Sequence, residues 1–251
     1  MFLGPFISRV MAERPGAVAA VFVAGRRSAG EKTRTLSDRL ASLRILWLIL
    51  GPGCFLRALL LRLRARLLGS RDPRSVAGQA RKLEIPVHGV ADPNSPEFVD
   101  LVRSLNLDLV LNQSELLLKI EILAAPKLGF VNRHGSLLPA FRGRLASFWS
   151  HAAQEPGYGV TIHFVDQGLD TGAIIAQQDM AAFIDPRWSY CRVAQELFGR
   201  SAALFWQAVD SMEEPEFTPE PQHVVADAAR VFPTLDQARE YRRVLAERRK
   251  S

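Results

Sequence analysis

The sequence contains few cysteines and no hydrophobic run long enough to cross a bilayer. Its 251 residues include only Cys54 and Cys191, and two cysteines so far apart provide neither a disulfide framework nor a metal-binding spacing. The longest uncharged apolar run, residues 45–56, is shorter than the roughly 20 residues that a membrane span needs. Residues 1–5 lack a basic segment and a long apolar segment, so we expect no signal peptide. These absences fit a protein of a reducing cytoplasm.

Nucleotide-binding loops and repeats are also missing. The chain has no GxGxxG and no Walker sequence, so a nucleotide cofactor is not indicated. What the chain does have is 48% hydrophobic and 23% charged residues, which are globular proportions. This composition excludes a disordered chain, a collagen-like chain and a small disulfide scaffold. The length predicts one domain, or one domain with an added fragment.

The net charge of +6 is concentrated in one segment. Residues 30–74 contain ten basic and three acidic residues, a net charge of +7, which leaves −1 for the rest of the chain. A net positive charge suggests nucleic acid as a binding partner. Here, however, the basicity is local, on an otherwise near-neutral body.

Strand patterns alternate with helix patterns along the sequence, which indicates a sheet of parallel strands joined by crossover helices. We predict strands at 17–24, 86–90, 107–111, 128–131, 159–165 and 173–177. We predict helices at 6–14, 36–50, 54–68, 74–83, 96–105, 145–154, 188–210 and 234–249.

Two polar clusters follow predicted strands. Residues 132–143 read NRHGSLLPAFRG, and residues 166–172 read DQGLDTG. Sites in parallel α/β sheets lie beyond the carboxyl ends of strands, so both clusters are expected to face one crevice. An amide, an imidazole and a carboxylate there can bind a developing oxyanion and move a proton. Since no activated Ser or Cys accompanies them, the set suits direct acyl transfer to an external nucleophile.

These residues carry a resemblance to a known family. NRHGSLLPAFRG resembles the Asn-x-His-x-Ser-Leu-Leu-Pro signature of the folate-dependent formyltransferases, and GVTIHFVDQGLDTGAIIAQ resembles their second signature. The preceding APKLGFVN is similar to the corresponding run in methionyl-tRNA formyltransferases. The resemblance covers most of residues 75–180 and, more loosely, residues 1–27. It implies an α/β, Rossmann-like fold with a mostly parallel sheet and helices on both faces, here with an inserted basic helical hairpin.

The resemblance also implies a chemistry for particular residues. The formyl donor would be N10-formyltetrahydrofolate, used without a metal, and the catalytic set would be Asn132, His134 and Asp170. Asn132 would bind the formyl oxygen, His134 would stabilise the oxyanion and assist proton movement, and Asp170 would orient His134 and shuttle the proton. The pterin would lie against two stretches of the chain. The first is Leu116, Leu117 and Leu118, and the second is the loop of Val165, Asp166, Gln167, Gly168 and Leu169.

The chain departs from the family pattern in four places. Arg133 replaces a usual aliphatic residue and is expected to meet an anionic acceptor. Residues 1–4 are all that remains of the family's first strand, and residues 30–74 are an insertion. The chain is too short for the carboxy-terminal barrel of the methionyl-tRNA enzymes, so amino-sugar and glycinamide ribonucleotide formyltransferases are the nearer relatives by size. We predict a catalytic domain over 1–212, followed by an extended segment and a terminal helix over 213–251.

Several alternatives stay open at this point. Asp166 competes with Asp170 as the catalytic carboxylate, and His163 is interpreted as a core histidine. We favour packing of the inserted helices on the domain or on a twin subunit, as in a homodimer. A peripheral membrane contact through residues 36–68 ranks second, and nucleic acid is the least favoured partner.

The function that we expect is N-formyl transfer to a primary amine of a small acceptor such as an amino sugar, in the cytoplasm or at a membrane surface. Hydrolysis of the formyl donor and a non-catalytic interaction role are the alternatives. The identity of the acceptor is open, because acceptor contacts lie on variable loops.

Overall fold

The computed structural model describes residues 3–24, 35–69, 72–114, 116–154, 157–223 and 229–250, and within them strands alternate with helices. The strands are β1 (Val21–Ala24), β2 (Val87–Val90), β3 (Leu109–Asn112), β4 (Gly129–His134), β5 (Gly159–Phe164) and β6 (Ile174–Asp179). The helices are α1 (Leu3–Glu13), α2 (Leu36–Leu50), α3 (Pro52–Leu68), α4 (Val76–Lys82), α5 (Pro96–Ser104), α6 (Ile120–Leu123), α7 (Ala146–Ala153), α8 (Tyr190–Met212) and α9 (Leu235–Arg248). Single 3₁₀ turns lie at Pro15–Ala17 and Ala181–Phe183.

The strands form two groups. β1 pairs with β2 in parallel, and the second sheet has the order β3-β4-β5-β6. β3 and β4 are parallel, whereas β5 is antiparallel to both β4 and β6. The predicted Rossmann-like α/β class is confirmed, but the sheet is less parallel than expected. The connection from β5 to β6 is too short for a crossover helix, so these strands run in opposite directions.

Helices α2, α4, α5 and α9 begin where serine or threonine side chains cap them. Thr35 accepts a hydrogen bond from the backbone of Asp38, whose carboxylate accepts one from Thr35 N–H in return, and this capping box starts α2. Gly51 has a φ of 75°, which ends α2 and lets Pro52 begin α3 directly. The sequence therefore specifies two consecutive helices with a one-residue junction.

Helices cover both faces of the larger sheet, as predicted. Val131, Val160 and Ile162 point to one face, where they pack with α1 and α8. Phe130 points to the opposite face and packs with Val102 and other residues of α5 and α6. Because side chains alternate along a strand, β3 and β4 contribute to two separate apolar layers.

The beginning of the described chain differs from the expectation. Met1 and Phe2 lie outside the described residues, and Leu3–Glu13 form α1 instead of the remnant of a strand. Phe6 and Val10 of α1 pack in the core with α8, so the apolar residues serve as one face of a helix. The interpretation of residues 1–4 as a strand remnant is therefore wrong for the part that the structure describes.

The inserted segment, described over 35–69 and from 72 onward, packs differently along its two helices. Ile45 and Ile49 of α2 are buried against Tyr241 and Leu245 of α9. All residues of α3 are described, and none of them is buried. Packing on the domain is thus confirmed for the inner side of α2 and wrong for most of the leucine-rich surface.

The two cysteines are joined. Cys54 of α3 forms a disulfide with Cys191 at the start of α8. Their sequence separation of 137 residues hides this proximity, because it arises only when the inserted helices fold over α8. The expectation that the cysteines form no framework is wrong, and the argument for a reducing compartment loses its support. A cytoplasmic location stays a prediction.

None of the helices in the described ranges is both long enough and apolar enough to span a membrane. The division of the chain after residue 212 also stays a prediction.

Candidate active site

The site begins at the carboxyl end of β4. Asn132 and His134 are separated by one residue and therefore point to the same side of the sheet. Asn132 lies directly opposite His163 on the antiparallel neighbour β5. Asp170 reaches the same place from the loop after β5, where its backbone is left-handed with a φ of 53°. The predicted strand end at residue 131 is short by three residues, since β4 continues through His134.

Four side chains converge at this point. The Asp170 carboxylate lies 3.5 Å from Nδ1 of His134 and 3.7 Å from Nε2 of His163. The amide Nδ2 of Asn132 donates to Asp170 Oδ1 at 3.4 Å. The structure thus brings together the three residues proposed as catalytic. It also adds His163, which is buried, as expected of a core histidine, but faces the site.

Backbone carbonyls define the protonation of the two imidazoles. His134 Nε2 lies 3.0 Å from the carbonyl of Phe141, and His163 Nδ1 lies 2.7 Å from the carbonyl of Phe164. A carbonyl oxygen only accepts, so each of these nitrogens carries a hydrogen. In the neutral rings, the lone pairs of His134 Nδ1 and His163 Nε2 then face Asp170. Either of these ring nitrogens can therefore accept a proton, which would then lie between the imidazole and the carboxylate.

Burial keeps both rings neutral at neutral pH. Desolvation lowers the pKa of His134 and of His163, and the nearby Asp170 opposes this decrease in both cases. A neutral His134 has a free lone pair at Nδ1 and can act as a base. Once protonated, it would be stabilised by the carboxylate 3.5 Å away.

Gln113 orients the Asn132 amide. Gln113 follows β3, and its Nε2 donates to Asn132 Oδ1 at 2.7 Å and to the Asn112 carbonyl at 2.8 Å. With its oxygen occupied, Asn132 presents its N–H groups to the site. The sequence offered one signal for this residue, because Gln113 follows the end of a strand that neighbours β4.

We expect Gln113→Leu to lower kcat for formyl transfer about tenfold, because Asn132 would lose the contact that aims its N–H groups at a developing oxyanion. KM for the formyl donor should change little. Ser114→Ala is the matched control, since Ser114 bonds to Asn112 and not to Asn132. Steady-state kinetics of both variants check this, and a change in KM alone would contradict a positioning role.

The loop at Gly143 supports the Asp170 carboxylate. Gly143 N–H donates to Asp170 Oδ2 at 2.7 Å. On either side, the backbone of Arg230 bonds to the carbonyl of Arg142 and the N–H of Arg144. Gly143 has a φ of 95°, and a Cβ there would collide with the Arg230 carbonyl. The position therefore requires glycine, and the segment around Arg230 forms part of the support.

Asp166 has a different environment from Asp170. It is exposed, and its carboxylate accepts hydrogen bonds from Gly168 N–H and the Thr171 hydroxyl. These contacts shape the turn between the two aspartates. The geometry favours Asp170 over Asp166 as the partner of His134.

A groove of about 490 Å³ lies beside this turn. Of the residues predicted to contact a pterin, four line this groove: Val165, Asp166, Gln167 and Gly168. Its remaining lining consists of Ile120, Leu123 and Ala124. The predicted Leu116, Leu117, Leu118 and Leu169 are not among the lining residues, and Leu117 is exposed. An apolar wall with a polar rim fits a flat heterocycle.

The donor atoms of His134, His163 and Asp170 all lie within 4.8 Å of one another. Such a donor set is compatible with a transition metal ion. The resemblance of the sequence implies a site that works without a metal.

Arg133 points away from the site. Its guanidinium is buried and stacks 3.6 Å from the ring centre of Phe198, and its Nε donates to Ser201. In the described part of the chain its Nη2 has no hydrogen-bond partner. Alternation along β4 places Arg133 on the α8 side of the sheet. The expectation that it meets an anionic acceptor is therefore wrong.

We expect Arg133→Met to raise the free energy of unfolding by about 1–4 kcal/mol, because it removes a buried cation without a carboxylate partner among the described residues. Ser201 would retain its bond to the Leu197 carbonyl. Arg103→Met, at an exposed arginine, is the control and should have little effect. Urea denaturation tests this, and a less stable Arg133→Met variant would contradict it.

The fold and the site together define a class of protein: a Rossmann-like α/β chain with an amide, two imidazoles and a carboxylate at the strand ends. The family model for formyl transferases matches residues 43–196, which is more than half of the chain. The chain belongs to the formyl transferase family, and the resemblance seen in its two motifs is confirmed.

Relatives with curated names are similar over part of their length. A methionyl-tRNA formyltransferase from Synechococcus sp. (strain JA-2-3B'a(2-13)) is 41% identical over 42% of this chain and 32% of its own. One from Mycobacteroides abscessus is 35% identical over 65% of this chain and 53% of its own. The chain thus spans about a third to a half of the length of these relatives.

Among solved structures, phosphoribosylglycinamide formyltransferase from Bacillus halodurans has a TM-score of 0.54 at 20% identity, covering 84% of this chain and 90% of that one. This likeness concerns the fold alone. The likeness in sequence and the likeness in fold thus concern different members of the family.

Proposed function

We propose that this chain transfers a formyl group from N10-formyltetrahydrofolate to a primary amine. One observation carries the proposal: Asn132, His134 and Asp170 meet within hydrogen-bonding reach, beside a groove lined by Val165 to Gly168. The family membership supports the reaction class. When bound, the folate supplies a formyl group on a nitrogen that leaves with a proton.

Asn132 would act first on the formyl oxygen. As the amine attacks the formyl carbon, negative charge develops on that oxygen, and a preoriented N–H stabilises it. Gln113 holds the amide in the required orientation. Asn132 is therefore assigned as the oxyanion donor.

His134 and Asp170 would handle the proton. The attacking nitrogen becomes positively charged when its bond to the formyl carbon forms. Nδ1 of neutral His134 can accept the proton, and Asp170 stabilises the resulting imidazolium. The proton then goes to N10 as the C–N10 bond breaks, so an amine N–H is exchanged for an N–formyl bond and tetrahydrofolate leaves. We place His163 as a second support of Asp170.

We also propose that the acceptor amine belongs to a small molecule, with an amino sugar as one candidate. The chain covers 90% of the phosphoribosylglycinamide formyltransferase that it resembles in fold, and it covers 32–53% of the methionyl-tRNA relatives. The acceptor is open to direct assay.

The test is release of tetrahydrofolate by the purified chain, followed by absorbance, with N10-formyltetrahydrofolate and a panel of amines. The panel should include amino sugars, glycinamide ribonucleotide and methionyl-tRNA. Turnover only when an amine is present supports the proposal. Turnover that is independent of amine would identify a hydrolase, and no turnover with any amine would favour a non-catalytic role.

A further inference from the structure

Leucines of α3 form a single outward-facing stripe. Five of them recur at positions i, i+3, i+4, i+7 and i+11, so they occupy an arc of about 100° on the helix. They are Leu56, Leu59, Leu60, Leu63 and Leu67. Each is between 48% and 76% exposed. The leucines are therefore an apolar surface, not a core.

The opposite side of α3 faces the protein. Cys54 is bonded to Cys191 of α8, and Ala58 and Leu61 on the same side are half-buried. The disulfide fixes which side of the helix is outward. Because the inner side is apolar too, simple amphipathic periodicity does not reveal the outer stripe.

Helix α2 carries a second exposed apolar stripe. Leu36, Leu40, Leu43 and Trp47 follow the spacing i, i+4, i+7 and i+11 and are 36–73% exposed. Trp47 contacts Phe55 of α3 edge to face at 5.4 Å, so an aromatic pair lies at the junction of the two helices. We call the two stripes together the leucine face.

Positive charge borders the leucine face. Exposed Arg57 lies on one flank of the α3 stripe, and exposed Arg62 and Arg66 lie on the other. Over residues 35–69 there are six arginines and one acidic residue, Asp38, a net charge of +5. Apolar residues flanked by arginines, with a tryptophan among them, are the pattern of helices that lie in the surface of an anionic membrane.

Two other occupants fit less well. A second copy related by a two-fold axis would bring the same patch against itself, and its arginine flanks would then face arginines. A nucleic acid would suit the charge, but base stacking requires interleaved aromatic side chains, and residues 35–69 contain only Trp47 and Phe55.

We propose that the leucine face binds the surface of an anionic lipid bilayer, with the leucines and Trp47 among the acyl chains and the arginines at the headgroups. The two helices would lie in the interface without crossing the bilayer. Attraction to anionic headgroups is screened by salt, whereas burial of the leucines is not. Binding should therefore need both components.

The experiment is co-sedimentation of the full chain with vesicles of phosphatidylcholine mixed with phosphatidylglycerol, at low and high salt. Pure phosphatidylcholine vesicles serve as the uncharged reference. We expect binding to the mixed vesicles, weaker binding at high salt, and little binding to pure phosphatidylcholine. The assay reads no enzymatic activity, so its outcome is separate from that of the proposed function.

A pair of variants locates the contact. Leu59→Glu with Leu63→Glu should weaken vesicle binding about tenfold or more, and Leu128→Glu, at a leucine exposed to a similar extent outside both helices, should not. Circular dichroism melts confirm that each variant is folded. Unchanged binding by the double variant, or no binding by the full chain, would overturn the proposal.

Light scattering and a gel-shift assay with duplex RNA test the other occupants. A dimer that the Leu59→Glu, Leu63→Glu variant dissociates would assign the face to a second copy. Salt-sensitive RNA binding without vesicle binding would assign it to nucleic acid. Either result overturns the membrane proposal.

Discussion

His134→Ala should lower kcat for formyl transfer by about a hundredfold or more, because it removes the group that accepts the proton from the attacking amine. Asn132→Ala should cost about as much, since it removes the N–H that stabilises the developing oxyanion. The groove beside Val165 is untouched in both variants, so KM for the formyl donor should change little. Single-turnover and steady-state measurements separate the two parameters.

The control for these variants is His223→Ala, at an exposed histidine, which should retain full activity. Thermal melts distinguish a chemical defect from a folding defect, because His134 is buried. If a folded His134→Ala or Asn132→Ala protein kept near-normal turnover, the assignment of the catalytic site would be wrong.

Asp170→Asn and Asp166→Asn should affect different kinetic parameters. Asp170→Asn keeps the shape and an acceptor for Gly143 N–H, but it removes the charge 3.5 Å from His134 Nδ1. We expect kcat to fall about a hundredfold. Asp166→Asn weakens the turn that borders the groove and should mainly raise KM for the formyl donor severalfold.

A pH–rate profile provides the sharper comparison of these two variants. The acidic limb reports the protonation of the base and its carboxylate partner. If this limb disappeared in Asp166→Asn and persisted in Asp170→Asn, the roles of the two aspartates would be the reverse of those proposed.

The sequence was sufficient to predict the positions of most strands and helices. Alternating apolar runs and capping residues are local signals, and Thr35 with Asp38 or Gly51 with Pro52 determine helix ends within a few residues. Asn132 and Asp170 converge as predicted, but Asn132 lies within β4 and not after its end, and Asp170 follows a strand that runs antiparallel to β4. What these signals do not specify is the direction of each strand.

His163 illustrates the consequence of the missing strand direction, and Gln113 illustrates the dependence of the site on side-chain contacts between strands. His163 comes opposite Asn132 only because β5 runs antiparallel to β4. An isolated histidine on an apolar strand has no local feature that separates a core position from a site position. Gln113 acquires its role through a side-chain contact with Asn132 on the neighbouring strand, which no spacing in the sequence encodes.

Arg133 and the two cysteines depend on tertiary packing in the same way. A charged residue inside a signature suggests contact with a charged ligand, but strand alternation turns Arg133 toward Phe198 instead. The proximity of Cys54 and Cys191 requires the inserted helices to lie across α8. Closeness in sequence misleads at Arg133, and distance in sequence misleads at the cysteines.

The backbone hydrogen bonds of Arg230 show that the structural support of the site extends beyond the region that the family model matches. The region that the family model marks as shared ends at residue 196, yet the backbone of Arg230 bonds to both sides of the Gly143 loop that donates to Asp170. A chimaera that exchanged only the shared region between homologues would transplant every proposed catalytic residue and leave behind part of their scaffold. The natural boundary for such an exchange lies beyond Arg230, after a stretch that no signature marks.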